Sequence, residues 1–238
     1  MTRFPWTRRV SAVASLADQN RRRIFDFVAA ADRAVGRDDT AEALGLARST
    51  ASFHLDRLVG DGLLVADFRK LGDRSGPGSG RPAKLYRAAV QEVSASVPER
   101  SYDLAAELLV AAVEETAAGG GPVGDALLRV ARARGRDAAE AAGGTGFAGL
   151  LTAEGYRPVD DGEGGLTLLN CPFHRVAQGH AGTVCAMNGA FLAGVAEGCG
   201  EDPGRVEALD IADLRSRGEA APAQCCARIR PAQASAAP

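Results

Sequence analysis

Apolar residues recur at helical spacing from about residue 10 to residue 31. Ile24, Phe25 and Val28 fall on one side, just after Arg21, Arg22 and Arg23, and the pattern predicts a helix. Asp38, Asp39 and Thr40 offer N-cap chemistry for a short helix AEAL that stops at Gly45. Leu46 and Ala47 make a tight connection. A second helix over about 48–60 is closed by Gly60 and Gly62. LLVADFRK (63–70) and KLYRAA (84–89) read as strands around LGDRSGPGSGRPA, which is too rich in Gly, Ser and Pro for regular structure.

After a joint near 90–98, two amphipathic helices are predicted over about 99–118 and 122–142, divided by GGGP, with a further helix at 146–155. GYRPVDDGEGGLTLLN predicts two strands around a Gly-rich turn. Residues 172–198 read as mainly helical, and VEALDI and CCARI as closing strands. The fold class expected is mostly helical α+β. A winged helix-turn-helix spans 1–92, a dimerisation and Cys-rich α+β sensor domain spans 93–230, and a low-complexity tail that reads as disordered spans 231–238.

The segment TAEALGLARSTASFHLDRLVGDGLL carries the chemistry of the first domain. A helix-turn-helix needs a short helix, a turn with Gly, and a second helix with one face packed and the other free. Ala41, Leu44 and Leu46 supply the packing of the first helix and turn. Ala51, Leu55 and Leu58 repeat at i, i+4 and i+7 on the second. The opposite face presents Arg48, Ser49, Thr50, Ser52, Phe53 and Arg57. Arg bonds guanine bidentately, Ser and Thr reach phosphates or base edges, and Phe53 suits a thymine methyl. His54 reads either as hydrogen-bonded against a neighbouring helix or as a phosphate contact. The loop between the strands adds Arg69, Lys70, Arg74, Arg81 and Lys84, with Arg81 placed for a minor groove.

RSTASFHLDRLVGDGLL followed by GRPAKLYR resembles the winged-helix domains of ArsR-type and related bacterial regulators, over about residues 15–90. The resemblance implies a homodimer on a palindromic or repeated double-stranded DNA operator; the expected role is that of a repressor, and the expected location is the cytoplasm. TAEALG lacks the paired cysteines of the arsenic and cadmium sensors, so sensing is not expected there.

Charge agrees with this division. Residues 1–90 hold 16 basic against 10 acidic residues, and the remainder 12 against 20. A basic part on an acidic remainder suits a nucleic-acid reader joined to a non-binding domain. No run of about 18 apolar residues predicts a membrane span, and MTRFPWTRRV lacks the apolar core of a secretory signal.

All five cysteines (Cys171, Cys185, Cys199, Cys225, Cys226) and His174 and His180 follow residue 170. In a reducing compartment these are thiols, redox sensors or ligands for zinc or iron–sulfur clusters rather than a disulfide framework. Cys185 and Cys199 stand 14 residues apart, on the order of 21 Å along one helix, so Cys199 reads as a small hydrophobe. On a strand, Cys225 and Cys226 would face opposite ways. The expected core set is therefore Cys171, Cys185 and one of that pair. NCPFHRVA, then Cys185, then the distal CC, is similar to the sensor domain of SufR-type iron–sulfur repressors, and implies a cluster on C-terminal cysteines. Cys171, His174, His180 and Cys185 also give C-x2-H-x5-H-x4-C, a zinc-like spacing in which the metal would be structural. A metal-free redox switch, buried structural thiols and an organic effector in an Ala- and Leu-lined pocket remain alternatives.

An enzyme is not expected. The chain carries no Walker loop, GxSxG or HExxH. GPGSGRPA does not lie between a strand and a helix, and Cys171 with His174 lacks an orienting acid.

Overall fold

The computed structural model describes residues 5–69 and 82–232. The chain is mostly helical α+β and forms two compact units, 1–95 and 96–238.

The N-terminal unit opens with α1 (Trp6–Ser15) and α2 (Gln19–Ala30), so the long periodic run is two helices rather than one. The break comes from Asp18, whose extended backbone leaves the helix while its carboxylate accepts from Arg21 N at 2.9 Å. This N-cap satisfies a donor that α2 could not satisfy internally. A two-residue strand β1 (Val35–Gly36) and α3 (Arg37–Leu44) follow. Helix α3 starts earlier than the AEAL reading. Its N-cap is Gly36, whose N–H donates to the Asp39 carboxylate at 3.1 Å. The helix ends on Gly45 at φ 65, a left-handed conformation that costs a residue with a Cβ about 1–2 kcal/mol. The tight turn then leads into α4 (Arg48–Gly60).

Strands β2 (Leu64–Arg69) and β3 (Ala83–Ala88) pair antiparallel in the register Leu64↔Ala88 to Arg69↔Ala83, and β1 adds to the other edge of β3. Ala12, Ile24, Val28, Val35, Leu55, Leu58, Leu63, Leu64 and Tyr86 form the core of this unit. Leu44 of α3 and Leu46 of the turn pack against it, so one core joins both helix-turn-helix helices to the sheet and fixes the direction in which α4 turns its outer face.

The C-terminal unit contains α5 (Tyr102–Ala117), α6 (Val123–Ala141), α7 (Phe147–Ala153), β4 (Pro158–Asp160), β5 (Leu166–Leu168), α8 (His174–Ala177), α9 (Ala181–Gly198), β6 (Val206–Ala208), α10 (Ile211–Ser216) and β7 (Ala227–Ile229). The strands form an antiparallel sheet in the order β4-β5-β7-β6.

Helices α6 and α9 are the principal helix pair, and glycine is what lets their backbones meet. A Cβ on Gly135 would lie 2.2 Å from Phe191 O, and one on Gly194 would lie 2.0 Å from Arg132 O. Arg132 and Arg136 both ion-pair with Glu197 across the same seam. These bonds hold the Glu197 carboxyl down at about 2. Phe173, Met187, Phe191, Leu192, Leu168 and Leu151 fill the core between this pair and the sheet. Among the described residues, no helix is long and apolar enough to cross a membrane.

Candidate functional site

Helix α4 buries Ala51, Leu55 and Leu58 completely. Arg48, Ser49, Phe53 and Arg57 are exposed on its outer side, with Thr50 and Ser52 half-exposed. Phe53 keeps 65% of its surface open. Apart from an edge-on contact with the His54 ring, its aromatic face is open to solvent.

His54 turns the other way. It is buried, its ring lies edge-on to Phe53 at 5.2 Å, and its Nδ1 has no hydrogen-bond partner among the described residues. Its ring is thus buried under the outer face, and the hydrogen bond to a neighbouring helix expected from sequence is not made by Nδ1 among the described residues.

The guanidinium of Arg48 forks onto Asp38, with Nε 2.5 Å from Oδ1 and Nη2 2.5 Å from Oδ2. Arg57 Nε bonds Asp61 Oδ2 at 3.2 Å. Lys84 Nζ bonds Asp56 Oδ1 at 2.6 Å. The basic side chains around the outer face are thus held by carboxylates on α3, on α4 itself and just beyond α4. Arg69 ends β2 and is exposed. Lys70, Arg74 and Arg81 lie outside the described residues.

Residues 16–65 match the model of a helix-turn-helix domain. The match runs from just before α2 to the start of β2 and includes the whole outer face of α4. It supports a DNA-binding transcriptional regulator. It ends far upstream of the cysteines and says nothing of them. No curated protein and no solved structure matches the chain.

In the C-terminal unit the backbone brings three distant segments together. Cys171 N donates to Ala223 O and Cys225 N to Leu168 O, both at 2.9 Å, and Leu209 N donates to Cys226 O at 2.8 Å. Arg100 Nη1 bonds Cys171 O at 2.9 Å and also the Asn170 side chain. Asn170 in turn donates to Gly155 O at 2.6 Å.

The result is a series of electrostatically coupled thiols running from Cys185 to Cys226, then Cys225, then Cys171. Interaction with Cys226 and Cys171 pushes the Cys185 and Cys225 thiols well above the usual value, whereas the same coupling brings Cys226 down to about 4, against its burial, and lowers Cys171. All five cysteines are unpaired thiols.

Strand β7 begins only at Ala227. The alternation that would send Cys225 and Cys226 to opposite faces therefore does not apply, and both thiols join the chain. Cys199 caps the C-terminus of α9 and stands outside it. Neither histidine enters it. His174 opens α8 half-buried, with Nε2 3.5 Å from Gln178 Nε2, and His180 is exposed at the N-cap of α9. The pair of histidines required by the zinc-like spacing is thus not brought onto the thiols.

Sequence reading missed Asn188. It is completely buried, and its Nδ2 donates to Cys225 Sγ at 3.2 Å and to Cys226 Sγ at 3.9 Å. Its place three residues after Cys185, on the same helical face, was the available signal.

Four thiols, two of them acidified, are the donor set that soft metals and iron–sulfur clusters use. The spacing of these donors is another matter. Among the described residues, no group of three or more His, Cys, Asp or Glu side chains is gathered so as to hold a metal ion.

Proposed function

We propose that the chain is a DNA-binding transcriptional repressor that acts as a homodimer and responds, through Cys171, Cys185, Cys225 and Cys226, to an iron–sulfur cluster or to redox state. The observation that carries the reading is α4, packed by Ala51, Leu55 and Leu58 and open along Arg48, Ser49, Phe53 and Arg57. A helix with one face spent on the core and a polar, arginine-bearing face left over suits a major groove.

The dimer reading is supported by α5, which leaves Leu109, Val110 and Val113 exposed as an apolar stripe. The sensor reading is supported by the thiol chain. A cluster held by these cysteines would supply a redox-active charge. The residues of this chain supply the rest: Asn188 donates to Cys225 and Cys226, and the Phe173 N–H and the Arg100 charge favour the Cys171 thiolate. Four unpaired thiols coupled to one another also favour the redox reading, since a disulfide between two of them would need only a local approach of their sulfurs.

The test has two arms. Iron and sulfide are assayed on anaerobically purified protein, and gel shifts compare reduced, oxidised and metal-depleted forms on a duplex selected from a random pool. The reading expects selection of a defined site and an affinity that changes between forms. Equal affinity in every form removes the sensor and keeps the reader, whereas selection of no site removes the reader.

A further inference from the structure

The outer edge of α4 is tied to the sheet by one carboxylate. Asp56 Oδ1 accepts from Lys84 Nζ at 2.6 Å and from the Tyr86 hydroxyl at 2.9 Å. Lys84 Nζ also lies 5.4 Å from the centre of the Tyr86 ring.

The three groups differ sharply in freedom. Tyr86 is 1% exposed and sits on β3, the central strand, opposite Val35 on one side and Ala66 on the other. Its ring is fixed by the core, so its hydroxyl is a fixed donor. Asp56 is half-exposed and follows the fully buried Leu55. It stands where the packed side of α4 gives way to the open side that carries Phe53 and Arg57. A rotation or slide of α4 on the sheet would break the Asp56–Tyr86 bond, and it would carry Ser49, Ser52 and Phe53 with it.

We infer that Asp56 is a positioning residue, that it locks the azimuth of α4 against β3 through Tyr86, and that Lys84 is committed to this clamp rather than to a phosphate. The inference rests on the DNA-binding reading above and deepens it, since it reassigns one residue of the expected interface. The energetic logic is local. A lysine held by a carboxylate at hydrogen-bond distance has its charge compensated, so it releases no counterion when the protein meets DNA. A carboxylate beside the open face is otherwise a liability near phosphates, and the two donors keep it turned toward the sheet. Burial opposes ionisation of the Asp56 carboxyl, yet the bonds from Lys84 and Tyr86 outweigh it and hold the group below the usual carboxylate value.

The experiment uses full-length protein, a site selected from a random duplex pool, and the variants Lys84→Met, Tyr86→Phe and Asp56→Asn, each checked for unchanged circular dichroism. The first readout is the salt dependence of affinity. Loss of a phosphate-contacting lysine lowers that slope by about one, and Lys84→Met is expected to leave it unchanged. The second is the ratio of affinity for the selected site to that for random duplex. Tyr86→Phe is expected to lower this ratio about twofold to tenfold, the worth of one hydrogen bond, with the slope again unchanged.

A slope that falls by one in Lys84→Met overturns the assignment of Lys84, and an unchanged ratio in Tyr86→Phe overturns the positioning role. A third readout separates the clamp from the DNA reading. The Asp56 carboxyl, followed by carbon NMR in the absence of DNA, is expected to titrate higher in both Lys84→Met and Tyr86→Phe. An unmoved titration overturns the clamp. A moved titration in a protein that binds no duplex keeps the clamp and overturns the DNA reading with its positioning role.

Discussion

The side-chain amide of Asn188 donates to Cys225 Sγ at 3.2 Å while its Oδ1 accepts the Tyr156 hydroxyl at 2.5 Å. Both Asn188 and Tyr156 are buried. With the phenol donating to Oδ1, the amide N–H groups are the end that faces the sulfurs. Asn188→Leu keeps the volume, removes the N–H donors, and leaves the Tyr156 hydroxyl without its acceptor. The cost expected is about 1–3 kcal/mol of unfolding free energy for a buried polar group left unsatisfied, measured by denaturant titration of metal-free, reduced protein. Adding Tyr156→Phe to that variant is expected to recover part of the loss, because the orphaned hydroxyl is gone.

The thiol chain makes stability depend on pH with a definite sign. Cys226 titrates at about 4 in the folded protein against an ordinary thiol value of 9.0. A depressed folded value means that the folded state binds fewer protons between those limits, so stability rises with pH across that window. The contribution is complete above about 9 and is lost as pH falls through about 4. The stability difference between the metal-free parent and Cys226→Ser is therefore expected to widen steadily from pH 4 to pH 9. A difference flat across that range would refute the thiolate assignment. The ultraviolet absorbance of the thiolate provides an independent check.

The cysteines divide into members and a bystander. Cys185→Ser and Cys226→Ser are expected to abolish incorporation of iron and sulfide during anaerobic reconstitution, or to abolish the oxidised mobility form if the thiols act without metal. Cys199→Ser, at the far end of α9, is expected to behave as the parent in both assays. Loss of cofactor in Cys199→Ser would place the site elsewhere.

The α6–α9 seam admits no side chain at its closest points. Gly194→Ala would set a Cβ 2.0 Å from Arg132 O, and Gly135→Ala one 2.2 Å from Phe191 O. Both contacts are to backbone, so a helix must move rather than a rotamer. Each substitution is expected to destabilise by about 1–3 kcal/mol, seen as a lower thermal midpoint, whereas Gly124→Ala, whose Cβ meets nothing within 4 Å, is expected to hold or raise it.

Arg48 is the basic residue of α4 most open to a base, with two-thirds of its side chain exposed. Arg48→Ala is expected to weaken specific DNA binding by about 1–3 kcal/mol. Asp38 grips the same guanidinium with two bonds, so Asp38→Ala and Arg48→Ala are expected to be non-additive in a double-mutant cycle of DNA affinity. Additive losses would show that the pair has no bearing on recognition.

The periodic positions on their own determined that α3, the Gly45 turn and α4 form a helix-turn-helix, and that Ala51, Leu55 and Leu58 face inward. A spacing of three and four residues fixes a helix face whatever that face packs against. The strand-like runs on either side of the Gly-rich segment likewise marked β2 and β3. The break at Asp18 was not legible, because apolar spacing continues through it and only the cap bond to Arg21 N shows that a new helix starts.

The thiol chain belongs to the other class. Cys171 leaves β5, Cys185 lies on α9, and Cys225 and Cys226 precede β7. Pairing of β5 with β7 and packing of α9 on that sheet decided that both tandem thiols meet the others, and that the nearby histidines do not. Asn188, Tyr156, Asp56 and Tyr86 were settled in the same way. A hydrogen bond between residues some 30 positions apart depends on how elements dock, and local spacing carries no information about docking.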